Sequence, residues 1–206
     1  MKLRACIMVG LIGILTACAA DDGVSEEPAD DDDDGNVDTT EDAISVAGRW
    51  KLAADVKAAG LAVRLPYDDA PAWNPSKCAG GMRSGAKKLR AKLESMFDPQ
   101  ILRVEGYNCR RNTAASGRMS IHGTGRAIDI FIPKSGGQAD NTKGDAVAAY
   151  LIKNAQRIGV QLIIWDRTIW RAGRADAAYG GPHPHDDHLH VEITNAAAAE
   201  QTPFFQ

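Results

Sequence analysis

The stretch Val160-Gln161-Leu162-Ile163-Ile164-Trp165-Asp166-Arg167-Thr168-Ile169-Trp170-Arg171 decides the reading of the fold. Two apolar, β-rich runs, Val160 to Trp165 and Thr168 to Arg171, are separated only by Asp166-Arg167. A two-residue polar break of that kind turns one strand back on the next, so the segment predicts a hairpin. Working outward, Leu189 to Thr194 reads as a last strand, Ala127 to Ile132 as an earlier one, and Ile101 to Tyr107 as a further one. In that further strand Ile101 and Arg103 fall on one face and Leu102 and Val104 on the other. Asp145 to Ile158 reads as a helix closed by Gly159. Ser84 is the expected cap of a helix with Leu89, Leu93, Met96 and Phe97 on one stripe, ended by Asp98-Pro99. Trp50 to Ala59 reads as a shorter helix stopping at Gly60. Helices placed before or between strands joined by tight turns predict an α+β domain, a small antiparallel-rich sheet with flanking helices.

The ends of the chain are of another kind. Met1 to Cys18 has a basic start (Lys2, Arg4), an apolar run from Ala5 to Leu15, and Leu15-Thr16-Ala17-Cys18. The run is shorter than the roughly 20 residues of a spanning helix, and its composition is that of a secretory signal. Leu-Thr-Ala-Cys resembles the lipobox of bacterial lipoproteins. That resemblance implies cleavage, a lipid on Cys18, export, and anchorage at the cell envelope, on the periplasmic or outer-membrane side in a Gram-negative cell. Residues 19–42 contain 12 acidic and no basic residues. They bury too little to offset chain entropy and read as an acidic, disordered tether, with calcium binding by the aspartate run a weaker alternative. The whole chain is −3. Without the leader and tether, residues 43–206 keep 22 basic and 15 acidic residues, about +7. A basic domain suits a polyanion such as cell wall, and export disfavours nucleic acid.

Residues 43–206 have the size of one domain. Its two cysteines, Cys78 and Cys109, form an even exported pair without Cys-x-x-Cys spacing, so a disulfide is expected. All five histidines fall in two places, His122 and then His183, His185, His188 and His190. Histidine is the commonest metal ligand. His188 and His190, two apart at the start of a strand, project from one face, toward one ion or one substrate. Asp129 lies early in another strand, and Gly123 and Gly125 let the chain after His122 fold tightly. Two imidazoles, one carboxylate and a water make a tetrahedral site with an open position, the pattern of catalytic zinc.

Ser120-x-His122-x-x-Gly125-x-Ala127-x-Asp129, followed by Asp187-x-x-His190 with His188-x-His190 overlapping it, resembles the zinc D-alanyl-D-alanine peptidases and the related hedgehog-like and lysostaphin-like metallopeptidases. Gly106-Tyr107-Asn108-Cys109-Arg110 and Ile163 to Trp170 look, more narrowly, like the bacterial extensin-like C-terminal domain. The resemblance covers roughly Cys78 to Thr194. It implies a hedgehog/DD-peptidase-like zinc fold holding one zinc ion on His122, Asp129 and His190. It further implies Asp187 as general base, His188 as a non-ligand histidine of the site, and Arg110 as an oxyanion-stabilising arginine. Asn108 stands where many carboxypeptidases have that arginine. His185, with His188 and His190, reproduces the His-x-x-His-x-His of some endopeptidases, which makes a histidine the alternative base.

The implied substrate is peptidoglycan peptide, by removal of a terminal D-alanine or cleavage of a cross-link. A non-catalytic, zinc-containing wall-binding lipoprotein is the alternative. His183, between prolines, reads as a rigid loop residue. Trp165 and Trp170 read as groove or core residues, with core favoured for at least one. Ser120 reads as a support for the ligand loop.

Overall fold

The computed structural model describes residues 50–181 and 183–206. The expected leader, lipidated Cys18 and acidic tether lie outside the described residues, as does the start of the 43–206 domain.

Among the described residues, five α-helices and six strands follow in this order: α1 (Ala54–Ala62), α2 (Ser84–Met96), β1 (Arg103–Glu105), β2 (Ala127–Phe131), α3 (Asn141–Lys153), α4 (Ala155–Ile158), β3 (Val160–Trp165), β4 (Thr168–Arg171), β5 (Ala177–Ala178), β6 (His188–Ile193) and α5 (Asn195–Ala198). The strands form one sheet in the order β1-β2-β6-β3-β4-β5, every neighbouring pair antiparallel. The α+β expectation holds. The hairpin has its expected bounds, and its turn residues take left-handed conformations, Asp166 at φ 38° and Arg167 at φ 62°. These are the signs a two-residue turn needs to match the twist of its strands.

Period-two alternation divides the sheet into two faces. Ile128 and Ile130 of β2, Leu189, Val191 and Ile193 of β6, and Ile163 and Trp165 of β3 face the main core. Leu89 and Leu93 of α2 and Val147 and Leu151 of α3 belong to the same core. The opposite face carries Asp129, His190 and Glu192 among smaller apolar groups, including Leu162, Ile164 and Ile169. Both Trp165 and Trp170 are fully buried in the core, which corrects the groove alternative.

Three helix boundaries differ from expectation for packing reasons. Gly60 lies inside α1, where a Cβ would sit 2.4 Å from Trp170 Nε1. That glycine is a close-approach residue, and the helix runs on to Val63 as its cap. Arg83, not Ser84, is the N-cap of α2, because the Arg83 amide donates to Gly125 O (2.9 Å). The expected 145–158 helix begins earlier, with Asp140 as cap, and breaks at Asn154 into α3 and α4 before Gly159 closes it at φ 92°. The 101–107 strand shrinks to β1, and Leu102 is exposed. The two-residue β5 had no signal in its small side chains.

The hairpin turn also holds the loop before β6: Asp166 N donates to His185 O (2.7 Å) and Arg167 N to Pro184 O (2.8 Å). The Asp166 side chain is buried and accepts from Asn141 Nδ2 (3.1 Å), which also donates to Asp145. Burial, helped by nearby Asp145 and Asp186, pushes the Asp166 carboxyl up from 3.8 to about 6. The folded chain therefore keeps this proton at pH values where the unfolded chain has lost it. Stability from this group is present at low pH and is lost as pH rises through about 6. Asp166→Asn should flatten that part of the pH dependence between roughly pH 4 and 7 in urea unfolding; an unchanged slope would contradict the assignment.

Candidate metal centre

His122 sits in a single 3-10 turn, Ile121–Thr124, between β1 and β2. Ser120 caps that turn, its Oγ accepting from His122 N (3.3 Å), which fits the support role expected for it. Ile121 and Met119 are fully buried beneath the turn. Gly125 ends it at φ 74°, and a Cβ there would lie 2.4 Å from Gly81 O, so both conformation and space require glycine. β2 then delivers Asp129 directly opposite His190 of β6.

The three side chains are almost wholly buried: His122 1%, Asp129 5% and His190 0% exposed. His122 Nε2 lies 3.2 Å from His190 Nδ1 and 3.3 Å from Asp129 Oδ2, and His190 Nδ1 lies 3.1 Å from Asp129 Oδ1. The distal nitrogens are already committed. His122 Nδ1 makes a short hydrogen bond to Gly106 O, where it must be the donor. His190 Nε2 donates to Glu192 Oε1 at 3.3 Å. In neutral rings this turns two imidazole nitrogens and a carboxylate toward one another in a buried space. Such an arrangement repels unless a proton or a cation joins it. The donor set fits a metal ion, and these three residues would hold it.

Behind the ligands runs a buried polar chain that the sequence reading missed. Glu192, fully buried, accepts from His190 through Oε1 and from Gln161 Nε2 through Oε2 (3.1 Å). Gln161 sits where the β3–β6 register shifts, and its Oε1 accepts from Asp68 N (3.0 Å). Carboxylates behind a ligating imidazole fix its tautomer and orientation. The signal was present: Glu192 follows His190 by two on an apolar strand, so it shares the ligand's face.

The other expected residues gather at the same end. His188 heads β6 opposite Phe131, their ring centroids 5.1 Å apart. Asp187 Oδ1 accepts from His188 Nδ1 (2.7 Å), and that bond holds the Asp187 carboxyl below the usual carboxylate range. His185 is buried at φ 51°, its ring centroid 4.8 Å from that of His188 and 6.1 Å from that of His190. Four histidines thus form one contiguous belt. Arg110 joins through its backbone, its carbonyl accepting from Ser120 N (3.1 Å). His183 stays in the loop, its carbonyl accepting from His185 Nδ1 (3.0 Å). The expected disulfide is present, Cys78–Cys109 with a Cα–Cα distance of 5.7 Å. It staples the loop beside Gly81 to the segment that supplies Gly106 and Arg110.

A family model described as VldE, C-terminal domain matches residues 78–190, from the first disulfide cysteine to the last of the three candidate ligands. The chain belongs to the VldE C-terminal domain family. No curated protein and no solved structure matches it.

Two outcomes test this geometry. Glu192→Gln sets an amide N–H against Gln161 Nε2 and weakens the anchor of His190, so metal affinity by chelator competition should fall about 10–100-fold with the far-UV spectrum retained. Cys78→Ala with Cys109→Ala should cost about 2–4 kcal/mol in denaturant unfolding, a loss absent if the bond does not form.

Proposed function

We propose that this chain is an exported zinc hydrolase that cuts peptide bonds in peptidoglycan, tethered to the envelope through a lipid on Cys18. The observation that carries the reading is the buried group of two imidazole nitrogens and one carboxylate. Its mixed nitrogen and oxygen donors suit zinc, and a three-residue set leaves a fourth position for water or substrate. When bound there, zinc would supply Lewis acidity and an activated water at neutral pH.

The chain's own residues would handle the proton and the developing charge. Asp187, partly exposed and hydrogen-bonded to His188, stays ionised and can take a proton from the attacking water and pass it to the leaving amine. The same bond fixes the His188 ring, whose other nitrogen, with Arg110, would stabilise the oxyanion. His185, in ring contact with His188, is the alternative base. The excess of basic residues in 43–206 favours an anionic polymer as partner. The extensin-like and D-alanyl-D-alanine peptidase resemblance of the ligand motifs supports the choice of bond, either a terminal D-alanine or a cross-link.

The test is zinc content together with product release from purified peptidoglycan fragments. About one equivalent of zinc and metal-dependent release of D-alanine or of cut cross-links are expected. Bound zinc without product would favour the non-catalytic wall-binding lipoprotein, and absence of zinc would overturn the site. Asp187→Ala should retain zinc and lower turnover by about 10²–10⁴-fold; full activity would move the base to His185 or His188.

A further inference from the structure

A cavity of about 580 Å³ opens beside the metal-ligand turn, lined by Lys77, Arg83, Arg126, Thr124, Ser84 and Asn195 among others. Its cations are unusual in their surroundings. Arg126 is 3% exposed, yet its guanidinium donates only to backbone carbonyls, from Nη1 to Ile193 O (3.0 Å) and from Nη2 to Asp68 O (2.8 Å) and Asp69 O (3.2 Å). Burial lowers its proton affinity, with Glu192 and Asp68 opposing from a distance. Arg83 Nε donates to Thr124 O (3.3 Å). Among the described residues no carboxylate forms an ion pair with Lys77, Arg83 or Arg126. The one acidic lining residue, Asp69, is paired with Arg118 at 2.5 Å. Three positive charges therefore line one concave space without a direct ion pair among the described residues, although Glu192, Asp68 and Asp69 act on Arg126 from a distance, and a desolvated cation such as Arg126 gains from an anion placed beside it.

The cavity is mechanically continuous with the metal centre. Thr124 belongs to the turn that carries His122, and Arg126 precedes the strand that carries Asp129. Its rim is bonded to that turn through Ala79 N to Gly123 O and Arg83 N to Gly125 O, both 2.9 Å. The first turn of α2, which no side chain caps, starts at the lining residue Ser84, whose hydroxyl bonds the Glu200 carboxylate, and its amide dipoles favour negative charge.

We propose that this cavity is a binding site for an oxyanion, a carboxylate or phosphate group of a ligand. That this ligand is the hydrolysed substrate rests on the reading under Proposed function; the anion site itself does not. The probes are inorganic phosphate and glutarate, titrated into the purified chain and followed by amide chemical shifts. Saturable shifts are expected at Ser84, Thr124 and Asn195, on the cavity wall and apart from the three metal-ligand side chains. Lys77→Ala with Arg83→Ala, both at exposed positions, should weaken binding about tenfold or more. The charge-matched control Lys51→Ala with Lys92→Ala should change it less than about twofold. Tighter binding of phosphate or of glutarate supports the site and tells phosphate from carboxylate as the ligand group. Shifts that never saturate, or equal weakening in the two double variants, would overturn it. The titration needs no turnover, so loss of the hydrolase reading and loss of the anion site are separately visible.

Discussion

Everything in this molecule depends on the alternation of one central strand, His188-Leu189-His190-Val191-Glu192-Ile193. Leucine, valine and isoleucine go into the core, and two histidines and a glutamate go to the opposite face. An apolar strand that buries an imidazole and a carboxylate must give each a partner, because an unpaired buried charge costs several kcal/mol. The surrounding elements supply those partners. β2 sets Asp129 across from His190, β3 sets Gln161 against Glu192, and the 3-10 turn swings His122 over both. The position of the ligand-bearing turn is therefore a consequence of satisfying the strand.

The supports are local and stiff. A glycine that no other residue could replace ends the His122 turn, the disulfide ties its neighbouring loops together, and the β3–β4 hairpin turn grips the chain just ahead of β6 through two backbone hydrogen bonds. The His185 ring and the Asp187–His188 pair lie in or just after that gripped segment. A site held in this way restricts the movement of its donors, which is what preorganised metal sites require.

Much of this was legible in the sequence because period-two patterning and turn chemistry are local. The 160–171 hairpin, the strand around Asp129 and the last strand followed from apolar alternation, and the grouping of His122, Asp129 and His190 was what the peptidase resemblance implied; that Asp129 lies directly opposite His190 came from the sheet register. Helix ends were read less well because tertiary packing decides them: Gly60 looks like a terminator but is a gap for Trp170, and Ser84 looks like a cap but yields to the bond from Arg83 to Gly125. Gln161 looked like an ordinary strand residue, since its value lies wholly in the distant Glu192 and Asp68 it joins. The cationic cavity draws on residues from 69 to 199, and no local pattern could have announced it.

The most direct test of the central claim is a crystal structure of the zinc-loaded chain with anomalous data recorded on both sides of the zinc edge. The account predicts a single strong peak bounded by His122 Nε2, a carboxylate oxygen of Asp129 and His190 Nδ1, at roughly 2.0–2.2 Å from each, with Glu192 still accepting from His190 Nε2. A peak centred on His183 or His185, or a three-residue group closed by protons with no metal present, would contradict it.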